Sequence, residues 1–130
     1  EKREIECAGE KFVYYTAKKG EEVVGYAIET STSKGFSGTI KAMVGFNTNG
    51  DIVSISVLSH SETPGLGAKM TDPSFAGQFE GKNPSSFKLA VRKDGGDIDA
   101  ITASTITSRA YADAVQKAYN AFNEIVANNK

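Results

Sequence analysis

From Ile106 to the end of the chain the apolar residues Ile106, Tyr111, Val115, Ala118, Phe122, Ile125 and Val126 recur at helical spacing. The spacing predicts a terminal helix of roughly 20 residues. Its apolar and aromatic positions form one stripe, which is packing surface rather than a ligand site. A helix with one apolar stripe must bury it against a second layer, and this requirement restricts the fold more than any other feature of the sequence.

The second layer is legible upstream as strands. Lys11–Thr16 is aromatic and β-branched, Lys18–Glu21 has turn composition, and Glu22–Glu29 carries Val23, Val24, Tyr26 and Ile28. The polar stretch Thr30–Gly35 reads as a loop. A period-two series of Ile40, Ala42, Val44 and Phe46 then starts near Gly38. Asn49-Gly50 supplies hairpin turn chemistry before a further strand over Ile52–Leu58. Asp72 as N-cap and Pro73 at the first helical position predict a short helix to about Glu80, with Phe75, Ala76 and Phe79 buried. Phe87–Val91 and Ile98–Thr102 read as two short strands separated by a turn over Lys93–Gly96. The expected fold class is α+β: a single domain over 1–130, with an antiparallel sheet packed against the long C-terminal helix and a short helix.

Two segments do not fit regular periodicity. Asp99–Ser108 places five hydroxyls (Thr102, Ser104, Thr105, Thr107, Ser108) at the junction of strand and helix. One hydroxyl suffices for an N-cap, and the surplus lies where unpaired helix amides and the helix dipole favour an anion. His60–Gly67 contains Pro64-Gly65, the chemistry of a type II turn. Gly65 and Gly67 also bare the backbone for close approach of a flat ring, with Leu66 between them.

Composition excludes several function classes. With 15 basic and 16 acidic residues and no long block of either sign, the chain lacks the footprint of a nucleic-acid or polybasic membrane surface. One Cys and one His give neither an intramolecular disulfide nor metal-ligand spacing. No hydrolase-type set of nucleophile, base and acid stands out, so no catalytic residues are expected, and His60 reads as structural.

The hydroxyl run resembles the flavinylation motif of FMN-binding domains: an Asp, then small and hydroxyl residues ending in Thr-x-Thr, the last Thr being esterified to the FMN phosphate. By position Asp99 is the motif's Asp, Thr102 its first hydroxyl residue, Thr105 the next-to-last and Thr107 the acceptor. Ala103-Ser104 departs from the family's usual Gly-Ala. Ser59–Lys69 is similar to the family's Glu-Thr-Pro-Gly-Leu-Gly loop, and Ser33–Ile40 to its glycine-bracketed strand entry. With Ser108-Arg109-Ala110 the resemblance runs from about Gly25 onward. By pattern it is nearest to the G subunits of Rnf-type ion-translocating electron-transport complexes, and it is also similar to the C subunits of the sodium-translocating NADH:quinone reductase.

The resemblance implies FMN held covalently through a phosphoester to Thr107, with Ser104, Thr105, Ile106, Ser108, Glu62, Thr63, Gly65, Leu66, Gly67 and Lys69 as cofactor-binding residues. It further implies an electron carrier, rather than a stand-alone catalyst, within a membrane ion-pumping oxidoreductase complex. Its partners would be the other subunits and, during maturation, a flavin transferase. The location implied is the extracytoplasmic (periplasmic) face of a bacterial inner membrane. The charged start Glu1-Lys2-Arg3-Glu4 would then follow an N-terminal anchor that has been removed. Amides of the first helical turn and Arg109 would neutralise the phosphodiester, while Lys69 and Thr105 are candidate donors to the ring. Glu62 is read as accepting from the ribityl chain or the Thr63 amide, or as an exposed carboxylate doing neither. Thr107 is taken as exposed, so that Thr107→Ala would cost about 1 kcal/mol or less. Two alternatives stay open: a sensor or reductase domain that binds FMN reversibly, and a flavin-free extracytoplasmic interaction module.

Overall fold

A computed structural model of the chain describes residues 2–7, 9–35, 38–62, 70–101 and 105–128. Five strands follow one another: β1 (Lys2–Cys7), β2 (Glu10–Lys19), β3 (Glu22–Gly35), β4 (Gly38–Asn47) and β5 (Ile52–Ser59). Among the described residues they form one antiparallel meander in sequence order, β1-β2-β3-β4-β5. A four-residue helix α1 (Pro73–Ala76) and a 24-residue helix α2 (Thr105–Asn128) follow. The α+β expectation holds.

Strand alternation determines which face of the sheet meets the helix. Phe12 and Tyr14 on β2, Tyr26 and Ile28 on β3, and Ile40, Ala42, Val44 and Phe46 on β4 are all buried, as period-two side-chain direction requires. Ala110, Tyr111, Ala114, Val115, Ala118, Ala121, Phe122 and Ile125 of α2 are buried in turn, and α2 lies chiefly over β3. Phe122 meets the Phe46 ring at 5.1 Å and the Tyr26 ring at 5.9 Å between centroids. At the other end of the helix, Tyr111 packs on Phe75 and Phe79 at 5.1 and 4.9 Å, so the short helix caps the core beside the start of α2. The Asn-Gly turn forms as expected. The Asn47 side-chain oxygen accepts from the Asn49 and Asp51 amides at 2.9 and 3.0 Å, and Gly50 adopts φ 89°, a left-handed conformation that glycine reaches without steric cost.

Several boundaries differ from the sequence expectation. Residues 30–35 continue β3 instead of looping away. Two of the hydroxyls that give the stretch its loop composition bond to the helix: Thr30 Oγ1 donates to the Ala114 carbonyl at 2.9 Å and Thr32 Oγ1 to Asp113 Oδ2 at 3.1 Å. The charged N-terminus is a strand, because β1 pairs along β2 at the edge of the sheet, where charged side chains are tolerated. Helix α1 ends at Ala76 rather than near Glu80. The following turns bring Gly81 and Lys82 to Ile52, whose carbonyl and amide they bond at 2.7 and 2.8 Å. Phe87–Val91 and residues 98–101, the described part of the second expected strand, are not strands; among the described residues what remains is one parallel bridge, Val91 to Ile98. Between them a 3-10 turn over Arg92–Asp94 ends at Gly95. Gly96 lies so close to the chain that a Cβ there would sit 1.9 Å from the Ala90 carbonyl oxygen. The two apolar runs thus close on each other and join no sheet.

Candidate functional site

Strand β5 ends at Ser59 and the chain turns beneath the start of α2. His60 serves that turn: its Nδ1 accepts the Glu62 amide at 3.1 Å, in keeping with a structural role. Glu62 is 4 % exposed and Thr107, in the first turn of α2, is 2 % exposed. Thr107 Oγ1 donates to Glu62 Oε1 at 2.6 Å across 45 residues of sequence. This is a short hydrogen bond shielded from water. Burying a carboxylate is costly, and the positive end of the helix dipole together with the hydroxyl donor offsets that cost.

This geometry corrects two expectations. Glu62 is not an exposed loop carboxylate; it is buried and accepts from Thr107. Thr107 is not an exposed residue tolerant of Ala, because its hydroxyl is half of a buried pair. A third correction concerns Ile106, which the helical spacing assigns to the buried stripe and which is 48 % exposed; the buried face of α2 starts at Thr107 and Ser108. Arg109 is also committed elsewhere. Its Nε and Nη2 donate to the two carboxylate oxygens of Asp94 at 2.7 and 2.9 Å, a bidentate pair in which hydrogen bonding to Arg109 holds the Asp94 carboxyl below its ordinary value.

Ser108 is fully buried, and its Oγ accepts the Ile101 amide at 2.8 Å, fastening the segment before α2 to the helix. Thr105 is half-buried at the first position of α2. Asp99 is exposed: Arg92 Nε donates to its carboxylate, and its backbone exchanges hydrogen bonds with the Gln78 side chain at 2.7 and 2.9 Å. Thr63, Gly65, Leu66, Gly67, Lys69, Thr102 and Ser104 lie outside the described residues. Of the two segments that break regular periodicity, Glu62 and Thr107 are therefore the described residues that meet.

Sequence reasoning missed a groove along α2 that neither member of this pair lines. Leu89, Ala90 and Val91, with Ile106 and Ala110 of α2, line an open cavity of about 420 Å³ rimmed by Lys34, Asp94, Arg109 and Asp113. The apolar pair Leu89 and Val91, followed by two glycines, was the signal available in the sequence, but it reads equally well as a strand.

The donor set fits a phosphorylated flavin. A threonine hydroxyl sits in the first turn of a helix whose leading amides have no intrahelical acceptor, and the neighbouring Ile106 offers exposed apolar surface. Among the described residues no cluster of metal-ligating side chains occurs, and no helix is long and apolar enough to cross a membrane.

The chain is 43 % identical over 115 residues to the G subunit of the ion-translocating oxidoreductase complex of Shewanella piezotolerans, covering 85 % of this chain and 54 % of that protein. It is 39 % identical over 108 residues to the G subunit of the proton-translocating ferredoxin:NAD(+) oxidoreductase complex of Clostridium ljungdahlii, covering 81 % and 57 %. The chain thus spans about half the length of these curated relatives. Its fold is similar to that of Shewanella oneidensis NqrC, with a TM-score of 0.63 at 21 % identity over 90 % of this chain and 62 % of that one. A family model described as the FMN-binding domain matches residues 35–120. That match takes in both Glu62 and Thr107, and the chain belongs to the FMN-binding domain family, whose cofactor is FMN.

Proposed function

We propose that this domain carries FMN as an electron-transfer subunit of a Rnf-type ion-translocating oxidoreductase complex, with the cofactor joined through its phosphate to Thr107. The observation that carries the reading is the 2.6 Å hydrogen bond between Thr107 and Glu62. It draws the hydroxyl run and the segment leading into the Pro64–Gly67 loop to one place, as a shared flavin site requires. The two relatives, named as G subunits of complexes that move ions by oxidoreduction, support the same assignment. The complex's other subunits would be partners, a flavin transferase would act during maturation, and the domain would face the extracytoplasmic, periplasmic side of the membrane.

Bound FMN exchanges one or two electrons, and the protein's share is position and electrostatics. Thr107 would tether the phosphate, and the first-turn amides of α2 would face its charge, worth about 0.3–1 kcal/mol for an exposed anion. Ile106 would offer apolar surface to the ring. A tethered cofactor cannot diffuse away, so an open groove suffices where a reversible binder would need an enclosing pocket.

Attachment is tested by co-producing the domain with its transferase. The expected result is a band that stays fluorescent on a denaturing gel, with a mass increased by FMN less one water, and loss of both in Thr107→Ala. Yellow colour released entirely on denaturation would favour reversible binding. Failure to acquire flavin at all would favour an interaction module.

A further inference from the structure

We infer that Glu62 is the proton acceptor for the Thr107 hydroxyl when that residue is esterified; the inference rests on Thr107 being the attachment point. An alcohol is a weak nucleophile until a neighbouring base takes its proton. Glu62 Oε1 lies 2.6 Å from Thr107 Oγ1, inside the reach that a general base needs. Thr107 Oγ1 is the donor of this bond, so its hydrogen points at Glu62, and the lone pairs of Oγ1 remain available for attack. At 2 % and 4 % exposure the two groups are shielded from water in the flavin-free chain, so Oγ1 has to become accessible when the transferase presents its flavin donor.

The step balances with a flavin dinucleotide as donor, because its phosphoanhydride supplies the leaving group. Thr107 Oγ1 forms a bond to the flavin-side phosphorus, the P–O bond to the nucleotide phosphate breaks, and the nucleotide leaves as a phosphate. The proton passes from Oγ1 to Glu62 Oε1, and nothing is oxidised or reduced. The same transfer removes a conflict in the product. The esterified oxygen carries no hydrogen and the phosphodiester is anionic, so a carboxylate at this distance would be repelled. A Glu62 that keeps the proton is neutral and donates to the phosphodiester instead.

A purely structural role predicts a different result. Gln at position 62 keeps an oxygen that accepts from Thr107 but cannot take up its proton. The test measures initial rates of adduct formation by intact mass, using purified transferase and flavin dinucleotide with wild type, Glu62→Gln and Glu62→Asp across a range of pH. Loading of Glu62→Gln is expected to be slower by about 10²–10⁴-fold. Glu62→Asp should lie between them. Gln loading within a few-fold of wild type at every pH, or Asp loading no faster than Gln, would overturn the inference. Should the Gln variant fail to fold by circular dichroism, the Asp rate decides, and Asp loading equal to wild type would overturn the inference. Thr107→Ala separates the two levels: an adduct that persists there removes the attachment reading itself, whereas its loss alongside rapid loading of Glu62→Gln removes only the role of Glu62.

Discussion

Replacing Thr107 by Val keeps the shape of the side chain and deletes the hydroxyl, so it isolates the buried hydrogen bond. The bond spans 2.6 Å to a carboxylate that is 4 % exposed. Loss of one partner of a charge-assisted bond costs about 1.5–3 kcal/mol, since the remaining carboxylate stays desolvated. Thr and Val differ little in helix propensity, which leaves roughly 2–3 kcal/mol of destabilisation in the flavin-free protein. Thr107→Ser retains the donor and loses one methyl, for about 1 kcal/mol. The ranking is therefore wild type, then Ser, then Val, although Val is the closer match in shape. Urea denaturation followed by circular dichroism should show the midpoint falling in that order with an unchanged slope. The melting temperature of Thr107→Val should drop by roughly 8 °C for a chain of this size. A cycle with Glu62→Gln should give a coupling of about 1 kcal/mol or more. A Val variant as stable as wild type, or more stable than Ser, would refute the argument that this bond anchors the start of α2 to the β5 exit.

Tyr111 offers a gain instead of a loss. Burial pushes its phenol up, the charge of Glu80 adds to the shift, and its Oη finds no hydrogen-bond partner among the described residues. Tyr111→Phe is expected to raise stability by about 1 kcal/mol by removing an unsatisfied buried hydroxyl, and a lower melting temperature would show that the hydroxyl is paired in solution. Asp94 is held below its ordinary value of 3.8 by hydrogen bonding to Arg109. Its contribution to stability is therefore present above the unfolded value and lost as pH falls through the lower folded one. Carbon NMR of the Asp94 carboxyl should give a midpoint below 3.8 in wild type and a return to it in Arg109→Gln; an ordinary midpoint in wild type would mean that the pair does not persist.

Local chemistry in the sequence determined the elements themselves. Alternation over Ile40–Phe46, the Asn-Gly turn before Ile52 and the helical spacing after Tyr111 each depend on neighbours within a few residues, and all three appear in the structure. The hydroxyl run stood out as a candidate site because a single helix start cannot use so many capping groups. Tertiary contact decided what local pattern leaves open. Thr30 and Thr32 extend a strand because a helix more than 80 residues away accepts their hydrogen bonds. The charged β1 is a strand because β2 offers an edge. The apolar runs after Phe87 and Ile98 stay outside the sheet because they close on each other in a single bridge. Whether Glu62 is a solvated loop carboxylate or a buried acceptor was equally beyond the sequence. Burial of a charge is settled by whether a donor arrives from elsewhere in the chain, and here Thr107 arrives from 45 residues downstream.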